Sequence, residues 1–271
     1  MSVKRVHYYS LRGWWRHSIS SVHHLVTNIL IPLALLTLLA FATGAAFYLF
    51  HTYAEKGLLL LAALLATSLR LLIAYALSLL VGIPLAMLGV ANRRVESFLL
   101  PIYDVLESMP ILAFFPVIIL FFVTHGWLEG AAIFVIFFSV VWNIVFNVIG
   151  GLKTIPSDIY AVGVVFKLSP LARFRRITLP ALFPALVTGS ILAIAEGWNL
   201  IIVAEALHAY APRGSEAEDL FGIGSLLVES AASGDKTSLV AATSILVVAI
   251  VIFNLFLWQP LLTKSSQYKF E

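Results

Sequence analysis

The sequence contains no cysteine, which excludes disulfide bonds and thiolate metal sites. Charged residues are also scarce: they make up 11% of the 271 residues, whereas a soluble domain is about a quarter charged. No glycine-rich phosphate loop, no pair of histidines spaced for a metal and no serine–histidine–aspartate signature stands out. The sequence therefore offers no catalytic constellation, no metal site and no resident cofactor site.

Hydrophobic residues, in contrast, make up 61% of the chain. So much apolar surface cannot be buried inside one soluble core of this size, which indicates an integral membrane protein. Windows of about 20 apolar residues, enough to cross a bilayer, predict an all-α polytopic protein with six transmembrane helices. They lie at 29–50, 62–90, 97–124, 127–149, 180–207 and 237–258. The second window is longer than a crossing needs, so we expect it to tilt or project. The third is expected to be broken by Pro101, Pro110 and Pro116.

The distribution of Lys and Arg predicts the orientation in the membrane. Thirteen of the seventeen fall on one side if both termini are cytoplasmic: Lys4, Arg5, Arg12, Arg16, Arg93, Arg94, Lys153, Lys167, Arg173, Arg175, Arg176, Lys264 and Lys269. The outer loops then hold Lys56, Arg213 and Lys236. We therefore expect a multi-pass membrane protein with both termini cytoplasmic.

The chain divides into four segments on this basis. Residues 1–28 are basic and aromatic, which predicts a helix on the inner membrane face or, alternatively, a partner-binding arm. A cleaved signal peptide is not expected, because the first apolar run is too long and no small-residue cleavage site follows. Residues 29–58 hold the first span and an outer loop, 59–260 a transmembrane domain with a cytoplasmic loop at 151–179, and 261–271 a tail.

A basic, partly apolar interruption, AVGVVFKLSPLARFRRITLP, occupies residues 161–180. Ser157 is a candidate cap for a helix over 158–167, and Ser169-Pro170 marks the start of a second short helix. Its basic residues would lie near the C-terminal end of that helix, and Leu179-Pro180 would begin the fifth span. Such a loop is either a docking surface for another protein or an amphipathic element that touches only lipid headgroups.

The loop resembles the signature of binding-protein-dependent ABC importer permeases: Glu-Ala-Ala, three residues, Gly, nine residues, Ile, one residue, Leu-Pro. Ile177, Leu179 and Pro180 match it, whereas Ala161, Gly163 and Lys167 stand where the family has Glu, Ala and Gly. TSLRLLIAYALSLLVGIPLAMLGV, PIYDVLESMPILAFFPVIILFF and FGIGSLLVESA are similar to other parts of the family. The second of these resembles the nitrate, sulfonate, taurine and bicarbonate branch.

The resemblance implies a type I permease fold, a location in the plasma (inner) membrane of a prokaryote, and several partners. These are a cytoplasmic ATPase subunit that binds ATP and Mg, a second permease copy or homologue, an external solute-binding protein and membrane lipid, but no nucleic acid. The implied ATPase-coupling residues are Asp158, Tyr160, Ala161, Val162, Gly163, Val165, Phe166, Lys167, Leu168, Ser169, Pro170, Arg173, Arg175, Arg176, Leu179 and Pro180. Lys167 in place of Gly suggests a turn that needs no positive φ, or a nonstandard partner.

Ionisable groups inside spans are costly and are therefore candidates for function. The expected translocation path includes Arg70, Asp104, Glu107, Met109, Pro110, Asn143, Glu196, Trp198 and Asn199. Asp104 and Glu107 share a helix face, either by the path or solvated near the span's end. Glu196 is a pathway residue or a buried structural group, and Arg70 forms a structural pair or attracts an anion.

Other polar groups lie near the outer ends of the spans or within the fourth span. Glu205 is expected to be solvated near the outer end of its span, and Asn143 and Asn147 to bond between helices. The outer loop 208–236, which is rich in acidic residues, is either solvated or part of the surface that meets the binding protein.

The sequence thus predicts the permease subunit of an ATP-driven importer for a small oxyanion or organic anion, with no enzymatic activity of its own. Two alternatives stay open: a permease of another substrate branch, such as a vitamin precursor, and a secondary transporter or channel that works alone. The second alternative predicts internal inverted repeats, and none is visible.

Overall fold

A computed structural model of the chain describes residues 54–212 and 218–268, together with isolated positions between 32 and 47. The interpretation of residues 1–28 lies outside the described residues, and of the predicted first span only those isolated positions are described. The spans predicted from residue 62 onward can all be compared with the structure.

The described residues form helices and contain no strand, as predicted for an all-α protein. Four helices are long and apolar enough to cross a membrane, and a bent pair brings the number of candidate spans to as many as five. In chain order the helices are α1 Ala54–Gly89, α2 Arg93–Glu107, α3 Ile111–Thr124, α4 Leu128–Thr154, α5 Ser157–Val165, α6 Pro170–Glu205, α7 Ile223–Ser233 and α8 Lys236–Tyr268.

Helix α1 has 36 residues, which at about 1.5 Å per residue gives a length of roughly 54 Å. The hydrocarbon core is about 30 Å thick. The helix therefore tilts in the bilayer or projects beyond it, as expected for the second predicted span, although it begins eight residues before the predicted boundary.

Helices α2 and α3 are the two halves of the predicted third span and meet at 81°. Of the three prolines in this span, only Pro110 lies at the break between the two helices. It has an extended backbone and precedes the first residue of α3. A residue before proline is disfavoured in helical geometry, so Met109 leaves the helix. The prediction that Pro101 and Pro116 also break the span is wrong, because each lies inside a continuous helix.

Helix α4 is the centre of the bundle: 61% of its apolar window is buried, compared with 28% for α1 and 22% for α8. Small residues allow its neighbours to approach closely. Gly189 of α6 packs against Asn147 of α4, and Gly151 of α4 packs against Ala185 of α6. The packing of α4 against α1 and α6 positions the two ends of the bundle that hold the functional residues.

Helix α6 runs without interruption from Pro170, so the prediction of a separate second short helix is wrong. The join is a π-helical turn, Phe174–Thr178, in which the Leu179 N–H donates to the Phe174 carbonyl five residues back. A second π turn, Asn254–Trp258, occurs in α8. Both turns end two residues before a proline, which cannot donate to the carbonyl four residues earlier and would clash with it.

Candidate functional site

The short helix α5 ends in a left-handed turn at Lys167, whose φ is +50°. The Leu168 N–H donates to the Gly163 carbonyl at 3.0 Å, the bond that closes a Schellman motif around a left-handed residue. The expectation that this turn needs no positive φ is therefore wrong. Lys167 takes the conformation that glycine, the family's residue at this position, adopts without steric cost.

The two arms of the segment are held together at Gly163. A Cβ at this position would lie 3.1 Å from both Arg173 Nε and Ile177 Cδ1, which is tighter than ordinary van der Waals contact. The absence of a side chain thus lets α5 lie directly against the first turns of α6. Ser169 caps α6 as predicted, since its hydroxyl accepts from the Ala172 N–H at 3.3 Å and Pro170 follows at the first helical position.

Ser157 is not the N-cap of α5 as predicted, because the helix begins one residue earlier than expected. Ser157 is the first residue inside α5, and its hydroxyl lies 3.5 Å from Asp158 Oδ1. Asp158, Ala161, Ser169 and Leu179 are exposed, and Pro180 is half-buried. The side chains of Tyr160 and Val162 lie outside the described residues.

An apolar tip projects from this segment. Val165 is 76% exposed, Phe166 72% and Leu171 61%, whereas Leu168 is partly buried. Sequence reasoning included Val165 and Phe166 but missed Leu171, which follows Pro170 on the first turn of α6. We call Val165, Phe166 and Leu171 the apolar tip.

The basic residues lie in the first turns of α6 and not at a helix C-terminus, because α6 continues to Glu205. The expectation that they lie near the C-terminal end of a short helix, where positive charge would suit the helix dipole, is therefore wrong. Arg175 and Arg176 are exposed. Arg173 is half-buried, and its Nε finds no acceptor within the described residues.

A cavity of about 330 Å³ opens where α2 and α3 separate. It brings together five residues of the predicted path: Glu107, Met109, Pro110, Asn143 and Glu196. The Asn143 amide donates to Glu196 Oε2 at 2.5 Å, linking α4 to α6. The remaining lining residues, which the sequence did not single out, are Ile111, Leu112, Phe138, Ser139, Trp142 and Leu200.

The other predicted path residues do not line this cavity. Asp104 and Asn199 are exposed, and Trp198 is buried in the core. The prediction that Asn147 bonds to another helix is wrong, since its amide donates to the Asn143 carbonyl one turn earlier in α4. Asn143 itself makes the expected contact between helices.

Arg70 lies in a separate cluster with Thr67, Glu129 and Glu205. Its Nη1 donates to Glu205 Oε1 at 2.6 Å, and its Nε and Nη2 donate to the two oxygens of Glu129 at 2.5 and 2.8 Å. The expected solvation of Glu205 is wrong, because this side chain is fully buried. Burial of a carboxylate is tolerable here because a guanidinium and several hydrogen bonds compensate it.

The Glu205 carboxylate also anchors the start of α7. Its Oε1 accepts from the Thr67 hydroxyl at 2.7 Å, and its Oε2 from the Gly224 N–H at 2.8 Å. A Cβ at Gly222 would collide with the Glu205 carboxylate. The Gly-x-Gly element that precedes the last span therefore allows close approach of the backbone to a buried charge.

A groove of about 630 Å³ lies beside α7 on the same end of the molecule. Asp219 holds the turn that precedes α7. Its Oδ1 accepts from the His208 N–H at 2.9 Å, and its Oδ2 contacts His208 Nδ1 at 2.5 Å. Leu226 and Val228 are among the groove's apolar lining residues, and the exposed Glu229 also lines it.

Comparison with known proteins places these features in a family. The family model described as "Binding-protein-dependent transport system inner membrane component" matches residues 78–259. The chain is 35% identical over 156 residues to the nitrate import permease protein NrtB of Leptolyngbya laminosa, covering 58% of this chain and 55% of that protein.

Two further relatives carry other names. The bicarbonate transport system permease protein CmpB of Synechococcus elongatus is 33% identical over 131 residues, covering 48% of this chain and 46% of CmpB. The putative aliphatic sulfonates transport permease protein SsuC of Bacillus subtilis is 25% identical over 126 residues, covering 46% of this chain and 45% of SsuC. The chain thus spans about half the length of the curated relatives it matches.

The family match contains α4, α5 and α6 and covers more than half of the chain. It confirms the predicted type I ABC importer permease fold for a multi-pass membrane protein. The chain belongs to the family of binding-protein-dependent transport system inner membrane components.

Proposed function

We propose that this chain is the membrane-spanning permease subunit of an ATP-driven importer that takes up a small oxyanion or a related organic anion. The family description and the names of the nitrate, bicarbonate and sulfonate relatives support this proposal. The observation that carries it is the apolar tip, whose three side chains are mostly exposed at the surface of a basic segment.

The apolar tip is the docking element for a cytoplasmic ATPase subunit, which binds ATP and Mg. Phe166 and Val165 expose most of their surface, and burying an apolar surface in a partner's groove is favourable by about 25 cal/mol per Å². Gly163 fixes this helix against α6, so a movement of the tip is transmitted to a span. The exposed Arg175 and Arg176 then face acidic groups of the ATPase or lipid phosphates.

The solute path runs beside the cavity lined by Glu107, Asn143 and Glu196. Several apolar side chains of α2 and α3 are exposed in the isolated chain, among them Phe98, Val105 and Val117. A second permease copy and lipid cover these faces. The external binding protein delivers solute at the opposite end from the tip, where the groove beside α7 and its lining residue Glu229 form part of the receiving surface. In this arrangement both termini are cytoplasmic.

Substitution of Phe166 by Asp tests the docking directly. The change places a charge within the apolar tip, so we expect copurification of the ATPase subunit and solute uptake both to be lost. Phe166→Leu is the matched control, because it keeps an apolar side chain and should retain both. Equal amounts of the two variants in the membrane fraction establish that folding is intact. Normal copurification and uptake with Phe166→Asp would reject the docking assignment.

A further inference from the structure

We propose that the Arg70 guanidinium is a binding site for a planar oxyanion, and that the Glu129 carboxylate holds this site until such an anion displaces it. This inference rests on the proposed function, because it names a solute group and a residue that receives it in the same permease. It assigns to Glu129 a role that its place in the sequence does not indicate.

The contact between Arg70 and Glu129 has the geometry of anion recognition. Nε and Nη2 of one edge of the guanidinium donate to the two oxygens of a single carboxylate, at 2.5 and 2.8 Å. This parallel pair of bonds is the arrangement in which arginine recognises planar carboxylates and related oxyanions. A planar oxyanion of similar size can accept the same two hydrogen bonds.

The other edge of Arg70 is fixed independently of Glu129. Nη1 donates to Glu205 at 2.6 Å and Nη2 donates to the Phe221 carbonyl at 2.9 Å. Glu205 is held in turn by Thr67 and by the Gly224 N–H. The guanidinium therefore keeps its position, and its charge stays balanced by Glu205, when Glu129 moves away.

Glu129 and Glu205 differ strongly in how much of their side chains is exposed. The Glu205 side chain is 0% exposed and that of Arg70 is 7% exposed, whereas the side chain of Glu129 is 46% exposed. Glu129 is thus the exposed partner of a buried arginine. Its exchange for an external monoanion leaves the total charge of the cluster unchanged, so no uncompensated buried charge arises.

The location fits the entry of a solute. Glu129 lies in the first turn of α4, and Glu205 is the last residue of α6. Both ends are opposite to α5 and the apolar tip, and the Phe221 carbonyl belongs to the segment that leads into α7. The cluster therefore lies at the end of the molecule that the proposed function assigns to the binding protein.

Nitrate binding to the purified full-length chain in lipid nanodiscs, measured by calorimetric titration against chloride at equal ionic strength, tests the proposal. Glu129→Gln removes the competing charge but keeps the side-chain shape, so we expect nitrate to bind at least about tenfold more tightly than to the unaltered chain. Adding Arg70→Lys to Glu129→Gln should abolish the gain, because lysine cannot form the parallel pair of bonds.

Glu96→Gln is the matched control, since it also removes one carboxylate from a partly exposed ion pair, the one with Lys153, and should leave nitrate binding unchanged. Glu129→Asp shortens the side chain and should give an intermediate gain in a chain that retains its net charge. Nitrate binding by Glu129→Gln no tighter than by Glu96→Gln would overturn the proposal, as would an equal gain in the Arg70→Lys background. Solute uptake by the intact transporter without any gain in nitrate binding would reject this site alone, whereas nitrate binding without ATP-driven uptake would reject the proposed function alone.

Discussion

At the scale of single residues, Lys167 has an unfavourable backbone conformation in the segment that we assign to ATPase docking. A left-handed non-glycine residue costs roughly 1–2 kcal/mol, and glycine's greater flexibility in the unfolded chain offsets part of that cost. We therefore expect Lys167→Gly to stabilise the end of α5 by up to about 1 kcal/mol. Hydrogen exchange of the Leu168 amide, whose bond to Gly163 closes the turn, measures the change.

Lys167→Ala is the control for this prediction. It removes the same long charged side chain but keeps the Cβ that disfavours positive φ. Equal slowing of Leu168 exchange in both variants would show that loss of the lysine side chain, and not relief of the backbone, is responsible.

Only some features of the segment around Lys167 could be predicted from the sequence. The spacing of Ile177, Leu179 and Pro180 identified the loop, and Ser169-Pro170 predicted the cap of α6. The backbone angle of Lys167 could not be predicted, because a lysine carries no signal for positive φ where the characteristic glycine is missing. Leu171 was missed because its exposure depends on how α5 lies across the first turn of α6.

Glu196 is the charged residue of the cavity that bonds across two helices. Glu196→Gln removes the charge and keeps the shape, so we expect uptake to fall severalfold while assembly with the ATPase stays normal. The measurement is the initial uptake rate in proteoliposomes. Glu96→Gln is the charge-matched control, because Glu96 does not line the cavity. An unchanged uptake rate in a normally assembled Glu196→Gln transporter would exclude an essential role for this carboxylate.

The polar contacts within the spans could be predicted only in part. Their positions inside apolar spans marked Arg70 and Glu196 as costly ionisable residues, and Asn143 was expected to bond between helices. The partners themselves are distant in sequence: Asn143 and Glu196 are 53 residues apart, and Arg70 and Glu205 are 135 apart. Helical spacing cannot relate such positions, so the burial of Glu205 and the pairing of Arg70 with Glu129 required the three-dimensional arrangement.

At the scale of helices, the contact of α4 with α6 depends on small residues. A Cβ at Gly189 would lie 2.9 Å from Asn147 Cβ and 3.0 Å from the Asn143 carbonyl oxygen, a backbone atom that cannot move cheaply. We expect Gly189→Val to reduce the free energy of unfolding in micelles by about 1–3 kcal/mol.

Gly150→Val provides the comparison, because no described residue lies within 4 Å of a Cβ at Gly150 and valine is a better helix former than glycine. This variant should be neutral or slightly more stable than the unaltered chain. Equal stability of Gly189→Val and Gly150→Val would contradict the close packing of α4 against α6.

Helix boundaries show a related limit of prediction. Prolines in apolar runs indicated breaks at three places in the third span, yet only Pro110 separates two helices. Pro180 and Pro260 are instead accommodated by π turns within α6 and α8. A proline can end a helix, lie within a continuous helix or be accommodated by a π turn. Which of these occurs depends on the packing of the neighbouring turns, which the sequence does not specify.

At the scale of the whole molecule, the orientation predicted from Lys and Arg can be measured in a chain that has no natural cysteine. Gln267→Cys lies near the end of α8 and Ala232→Cys on α7, and both positions are exposed. A membrane-impermeant maleimide added to intact cells should label Ala232→Cys and should reach Gln267→Cys only after permeabilisation. The reverse pattern would contradict the cytoplasmic position of the apolar tip, which lies at the same end as residue 267.

The central claim is that this chain transports its solute only as part of an ATP-driven complex. The most direct measurement is nitrate uptake into proteoliposomes that contain the chain with its ATPase subunit, with the external binding protein on the uptake side. We predict uptake when ATP and all three proteins are present, and none when ATP, the ATPase or the binding protein is omitted. Nitrate uptake by the chain alone, driven only by the nitrate gradient, would contradict the account and indicate a channel or secondary transporter.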